Sequence, residues 1–184
     1  LSRAHSYFMG SAAIVQFIPL ITAPIIARLY TPEDFGAYAI FFGLVAIIST
    51  VAQLALHEAI LLEDKESDAA IANLLSISVS VIMTILIFIG IFLIPDSFFL
   101  FYLGPEASKL LMWLPATIFV SSIYGCFYTW WIRLELYTEL AKNKIILGIS
   151  TAIIQISIGL IGLDAIGFVW ANLLGTTLAA LLLL

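Results

Sequence analysis

Long apolar segments alternate with short polar ones along the whole chain. An apolar run of about 17 to 25 residues is long enough to cross a bilayer as a helix. The pattern predicts six such helices, at approximately residues 7–27, 37–62, 69–94, 110–131, 145–163 and 165–184. Residues 97–109 are aromatic and mildly charged, which is typical of the membrane interface. The sequence therefore predicts an all-α polytopic membrane protein with six transmembrane helices.

The composition favours the same class and argues against nucleic-acid binding. Apolar residues make up 63% of the chain and charged residues 10%, whereas soluble domains carry about 25% charged residues. Too few charges remain to cover a surface in water. The net charge is -5 and the seven basic residues are scattered, so the chain lacks the basic patch that a nucleic-acid partner would require.

The distribution of basic residues between the loops indicates an orientation. Loops rich in lysine and arginine stay in the cytoplasm, and acidic residues contribute little to this bias. One side would carry Arg3, Lys65, Arg133, Lys142 and Lys144, and the other Arg28 and Lys109. We therefore expect a cytoplasmic N-terminus. We also expect the first helix to be retained, because no convincing signal-peptide cleavage site precedes Arg28.

Two features predict close packing between the helices. Pro19 and Pro24 lie inside the first helix, where we expect a kink whose freed carbonyls are covered by a neighbouring helix. Small residues recur every fourth position in the last helix, which allows helices to approach closely in lipid. These are Gly167, Ala171, Gly175 and Ala179. The stripe is compatible with static packing and with the sliding surface of a transporter.

Polar residues at membrane depth are the candidates for a substrate site. Gln53, His57 and Glu58 lie in the second predicted helix and Asn73 in the third. Gln53 and His57 are one turn apart and share a face. We hypothesise that these residues line an aqueous cavity and contact a polar substrate or a proton. The alternative for Glu58 is that its carboxylate reaches interfacial water, since it lies one turn from the end of its helix.

The sequence does not predict catalysis or metal binding. It has no glycine-rich phosphate loop with lysine, and its two histidines, His5 and His57, lack the spacing of metal ligands. No serine, histidine and carboxylate arrangement is recognisable. The acidic segment 63–68 contains Lys65 and is better interpreted as a solvated loop than as the metal site of a glycosyltransferase. We expect a protein that is not an enzyme and that has no cofactor.

Two stretches of the chain resemble a known family. They comprise residues 26–30 (IARLY), 31–39 (TPEDFGAYA) and 58–60, and later residues 133–137 (RLELY), Ala141, Gly159, Leu160 and Gly167. They are similar to the O-antigen and capsule repeat-unit flippases of the multidrug, oligosaccharidyl-lipid and polysaccharide exporter superfamily.

The first of these stretches also has a local physical interpretation. Residues 31–34 (TPED) would form a short capped turn, with Pro32 at the first helical position and acidic residues near the helix start. Gly36 would permit an unusual backbone angle or a close approach. Arg28, Pro32 and Gly36 are therefore candidates for a structural or gating loop.

The resemblance implies a transporter with two six-helix lobes around a cavity that opens alternately to either side. Residues 1–184, which start at Leu1 and stop within a leucine run, would form the N-terminal lobe, and the C-terminal lobe would lie outside this chain. The implied cargo is an oligosaccharide linked to undecaprenyl diphosphate, flipped across the bacterial cytoplasmic (inner) membrane for O-antigen, capsule or exopolysaccharide synthesis. Other implied partners are the lipid bilayer and a polysaccharide polymerase.

A diphosphate cargo raises the question of where a cation lies. The sequence pattern places no arginine or lysine deep within a predicted span. Either the second lobe supplies the charge, or neutral donors such as Gln53 and Asn73 hold the head group. The alternatives to a flippase are a cation-coupled multidrug exporter, a membrane glycosyltransferase or polymerase acting on the same carrier, and a noncatalytic scaffold.

Overall fold

The structure, a computed structural model, describes the backbone of residues 2–53, 56–63 and 65–184 and the side chains of residues 15–50, 59–63 and 65–184. Over these residues the regular secondary structure is entirely helical. The α-helices are α1 (Ser2–Leu29), α2 (Pro32–Gln53), α3 (Leu56–Leu62), α4 (Glu66–Leu93), α5 (Asp96–Leu110), α6 (Leu114–Arg133), α7 (Tyr137–Leu160) and α8 (Ile166–Leu181). A 3-10 turn at Leu111–Trp113 joins α5 to α6.

Several of these helices are long and apolar enough to cross a membrane. Within the described residues, four helical segments meet this condition by length and composition: Pro32–Thr50, Glu66–Leu93, Asp96–Arg133 and Tyr137–Leu160. Two further apolar helices, Val15–Leu29 and Ile166–Leu181, are shorter. These helices confirm the predicted class: the chain is an all-α polytopic membrane protein. The number of six spans stays a prediction.

Helix α6 lies at the centre of the bundle and positions the other helices. It contacts α2, α3, α4, α7 and α8, whereas α1 packs chiefly along α7. Phe41, Ile118 and Val169 form the core where α2, α6 and α8 meet, and each is at most 1% exposed. The neighbour expected for the proline-containing α1 is therefore α7. Because α1 packs against α7 rather than against α2, a space remains between α1 and the beginning of α2.

The turn between α1 and α2 has the predicted cap. Pro32 is the first residue of α2, and the Asp34 amide donates a hydrogen bond to Thr31 Oγ1 at 3.3 Å. In return, the Thr31 amide and hydroxyl each donate to Asp34 Oδ2 at 2.8 Å. This reciprocal arrangement is a capping box with aspartate in place of glutamate. The local prediction for this turn is confirmed.

The interpretation of Gly36 was wrong. This glycine lies inside α2, does not have a positive φ, and a Cβ added to it would meet nothing within 4 Å. Because α2 starts at Pro32, five residues before the predicted start, the position is an ordinary exposed helical one. It requires neither an unusual backbone angle nor a close approach.

Helix α5 corresponds to the aromatic segment that we expected at the interface. It is interrupted at Gly104, whose φ of 80° and ψ of 168° lie in a region that is open essentially to glycine alone. Pro105 follows the break. Phe98, Phe101 and Tyr102 are at least half exposed. The two halves of α5 therefore run in different directions, with aromatic side chains on the outside.

The stripe of small residues on α8 is a close-packing surface, as predicted. All four of its members are buried. A Cβ added at Gly175 would lie 3.3 Å from the Thr151 Cα of α7 and closer still to its side chain. The prediction of tight packing along this stripe is confirmed.

Candidate functional site

A cavity of about 760 Å³ occupies the space between α1 and the beginning of α2. Its remaining walls come from α6, α7 and α8, and most of the lining is apolar. The polar side chains in the lining are Thr22, Tyr38, Tyr124, Lys144, Thr151 and Gln155. A cavity of this volume, with few polar groups on apolar walls, is typical of a ligand site.

One face of α7 supplies most of the polar wall. Lys144, Gly148, Thr151 and Gln155 recur at helical spacing and all line the cavity. Among the described residues Lys144 is the sole charged residue in the lining, so this part of the wall has a cation without an acidic neighbour. The Lys144 Nζ lies 4.8 Å from the centroid of the Tyr128 ring, a cation–π contact that positions the ammonium without neutralising it.

The position of Lys144 corrects an expectation from the sequence. We expected it in a polar connection and expected no cation inside a span. The structure begins α7 at Tyr137, so Lys144 lies two turns inside the helix and faces the cavity. The charges of this segment were misleading because they belong to an exposed helical face, where Lys142 and Glu139 form an ion pair at 2.7 Å. The helical spacing from Lys144 to Gln155 was the available signal.

Hydrogen bonds between three helices fix the wall next to Lys144. The Tyr124 hydroxyl of α6 donates to Asn143 Oδ1 at 3.1 Å, and Asn143 Nδ2 donates to the Ala179 carbonyl of α8 at 2.8 Å. Asn143 is 4% exposed. Sequence reasoning missed Asn143, because its role depends on partners from α6 and α8. These bonds hold Tyr124 in the cavity wall close to the cation.

At the other end of the cavity, buried contacts join the α1–α2 turn to α7 and to the start of α8. We call Tyr30, Asp34, Gln155, Ala165 and Phe168 the clasp. The Tyr30 hydroxyl donates to the Gln155 carbonyl at 2.8 Å, and the Tyr30 ring lies 4.2 Å from the Phe168 ring. The Ala165 amide donates to Asp34 Oδ1 at 2.8 Å. Asp34 therefore caps α2 and also binds the N-terminus of α8, where a negative charge is favourable.

Tyr30 is the buried centre of the clasp. It lies between α1 and α2, and burial, together with the nearby Asp34 carboxylate, raises its pKa to about 12. The hydroxyl therefore remains a donor throughout the physiological pH range.

Two glycines make room for this side chain. A Cβ at Gly159 would lie 2.9 Å from Tyr30 Cε2, and one at Gly167 would overlap the Tyr30 hydroxyl. Tyr30 belongs to the first of the two stretches that resemble a known family, and it thus packs directly on Gly159 and Gly167 of the second stretch.

Comparison with known proteins identifies the family. A family model described as polysaccharide biosynthesis protein matches residues 25–184. The chain belongs to this family. No curated protein and no solved structure matches the chain. The polysaccharide biosynthesis assignment confirms the resemblance noted in the sequence, and the matched region contains the clasp and the polar face of α7.

The predicted loop residues lie near the clasp. Arg28, in the last turn of α1, and Pro32 and Gly36, at the beginning of α2, are exposed and do not line the cavity. Their possible part in gating stays a prediction.

The four residues predicted to line a substrate cavity lie in α2, α3 and α4. Asn73 lies in α4, half buried, outside the cavity lining, and its Oδ1 has no hydrogen-bond partner in the described part of the structure. Gln53 ends α2, and His57 and Glu58 lie in α3, but their side chains are outside the described residues. The hypothesis that these four residues contact a substrate stays a prediction.

Proposed function

We propose that this polysaccharide biosynthesis protein flips a lipid-linked oligosaccharide across the bacterial inner membrane for surface polysaccharide synthesis. The observation that carries the proposal is the cavity in which Lys144 is the sole charge that the described residues contribute to the lining. An oligosaccharide linked to undecaprenyl diphosphate presents a negative diphosphate and a polar sugar. One cation on an otherwise mostly apolar wall complements such a head group.

The cavity chemistry assigns roles to particular side chains. Lys144 binds the diphosphate, because hydrogen bonds between an ammonium and a phosphate are assisted by charge and are stronger than neutral ones. Tyr38, Thr151 and Gln155 in the same lining offer neutral donors and acceptors for sugar hydroxyls. The lipid tail remains in the bilayer throughout. In this proposal the protein is a transporter rather than an enzyme, and it changes no bond of its cargo.

The transport cycle in this proposal is alternating access with a second six-helix lobe. The chain would then form one wall of a central pathway. Exposed apolar residues on α1, such as Leu20 at 68% and Ile21 at 69%, support contact of this flank with the second lobe or with lipid. With a cytoplasmic N-terminus, the Lys144 end of the cavity faces the cytoplasm, where the lipid-linked repeat unit is made.

A flipping assay on the full-length protein tests the proposal. The protein is reconstituted in liposomes that contain a fluorescent undecaprenyl-diphosphate oligosaccharide, and loss of access by an external sugar-modifying enzyme is followed. We expect protein-dependent movement of unmodified cargo. Lys144→Gln should slow it by roughly tenfold or more, since a hydrogen bond to a charged group contributes about 1.5–3 kcal/mol. Lys142→Gln is the control, because Lys142 is exposed and pairs with Glu139.

The same assay separates the alternatives. Elongation of the sugar without movement would identify a glycosyltransferase or polymerase. Movement of a cationic drug but not of the lipid would identify a multidrug exporter, and absence of both activities would favour a scaffold. Equal rates for Lys144→Gln and Lys142→Gln would contradict the role given to Lys144.

A further inference from the structure

A second cavity, of about 730 Å³, lies at the junction of α4, α5 and α6. It shares no lining residue with the cavity at Lys144. Asp96 and Phe99 line it from the first half of α5, and Ser108 and Lys109 from the second half. The change of direction at Gly104 brings both halves of α5 to one cavity.

This second cavity opens towards the apolar outside of the bundle. Phe88 and Phe92 of α4 and Met112 line it, and they are 51%, 81% and 72% exposed. In a polytopic membrane protein such exposed apolar side chains face lipid. Apolar cavities do not hold water well, so a hydrocarbon chain from the bilayer is the suitable occupant of the apolar part.

The polar rim of the cavity carries charges of both signs. The Lys109 Nζ binds Glu106 at 2.7 Å, but the two side chains are 67% and 41% exposed. Such a surface pair is weak, and the ammonium has further hydrogens to donate. Asp96 adds a carboxylate to the lining, whereas the Ser108 hydroxyl donates to the Pro105 carbonyl at 3.0 Å.

This balance of charge distinguishes between classes of lipid. The Lys109 ammonium suits a phosphate, whereas the Asp96 carboxylate in the same lining suits an ammonium. A purely anionic head group would gain from the lysine but would be repelled by Asp96. A zwitterionic head group with a primary ammonium satisfies both side chains.

We propose that this cavity binds a zwitterionic aminophospholipid of the surrounding bilayer. Lys109 holds the phosphate, Asp96 faces the ammonium, and the apolar wall formed with Phe88 and Met112 covers an acyl chain. The site is separate from the proposed transport cavity and does not depend on the transported cargo.

Photocrosslinking tests the site in the full-length protein. The protein is placed in nanodiscs with equal amounts of phosphatidylethanolamine and phosphatidylglycerol, each in turn carrying a photoreactive acyl chain, and crosslinked peptides are mapped by mass spectrometry. We expect crosslinks within residues 88–115 and a higher yield with the ethanolamine lipid. Lys109→Gln should lower that yield roughly fivefold, equivalent to about 1 kcal/mol for one lysine at a lipid surface.

Two further variants make the test decisive. Lys142→Gln removes a lysine with the same spacing to its acid and the same 2.7 Å ion pair, so it should leave the yield unchanged. Met112→Trp should narrow the apolar part of the cavity and lower crosslinking with both lipids. Equal yields for the two lipids, equal effects of the two lysine variants, or displacement of the probe by undecaprenyl phosphate would overturn the proposal. The readout does not involve flipping, so this proposal and the proposed function can fail separately.

Discussion

Replacing Asp34 with alanine should destabilise the protein strongly, because its carboxylate serves two helices. The side chain is 6% exposed and accepts hydrogen bonds of 2.8 Å from the Thr31 amide, the Thr31 hydroxyl and the Ala165 amide. Its loss removes half of the capping box and leaves a buried amide without its partner. Losing a cap costs about 0.5–2 kcal/mol and losing a hydrogen bond to a charged group about 1.5–3 kcal/mol, so we expect a loss of about 2–5 kcal/mol.

Glu33→Ala is the matched control for this prediction. Glu33 lies in the same first turn of α2 but is exposed, so its removal should cost below about 1 kcal/mol through the helix dipole alone. Asp34→Asn should lie between the two, since a single amide oxygen cannot accept from both Thr31 and Ala165. The assay is denaturant unfolding of the purified full-length protein in detergent. Equal midpoints for Asp34→Ala and Glu33→Ala would refute the reasoning.

The remaining predictions concern glycines and use the same unfolding measurement. Gly167→Ala should destabilise the protein because its Cβ would overlap the tyrosine hydroxyl in the clasp. Gly43→Ala is the control, because an added Cβ there meets nothing within 4 Å; it should be neutral or stabilising by up to ~1 kcal/mol. An equal loss of stability in Gly167→Ala and Gly43→Ala would contradict the packing argument. Gly104→Ala should cost about 1–3 kcal/mol, because φ is 80° and ψ is 168° there; an unchanged midpoint would show that α5 adopts another conformation.

The features that local patterns determine could be predicted from the sequence. Long apolar runs suffice for the all-α membrane class, because lipid requires the backbone to satisfy its own hydrogen bonds. The cap at Thr31, Pro32 and Asp34 involves neighbours within four residues, so turn chemistry alone reveals it. The stripe on α8 was also visible, since helical spacing places Gly167 and Gly175 on one face. In each case the relevant partners lie within one helix or one turn.

Contacts between distant segments could not be predicted in this way. Asp34 already has a complete local explanation as a capping residue, so the sequence contains no sign that Ala165, 131 residues later, is a further partner. The burial of Tyr30 depends on room left by Gly159 and Gly167, which only the packed bundle reveals. Lys144 was placed in a loop because its charged neighbours in sequence resembled one. The helices that pack around α7 at this position are far away in sequence, so the sequence did not show that Lys144 lines a cavity.

The cavity is asymmetric along α7, and this asymmetry bears on the direction from which a charged head group enters. Gln155, whose carbonyl accepts the Tyr30 hydroxyl, lies eleven residues after Lys144, or about 16 Å along the helix at ~1.5 Å per residue. Phe168 belongs both to the clasp and to the cavity wall. At the clasp end the Tyr30 hydroxyl binds α7 and Asp34 binds the start of α8, so these two bonds close the cavity there. The cation lies at the opposite end, and in the proposed orientation a diphosphate approaching from the cytoplasm would meet Lys144 first.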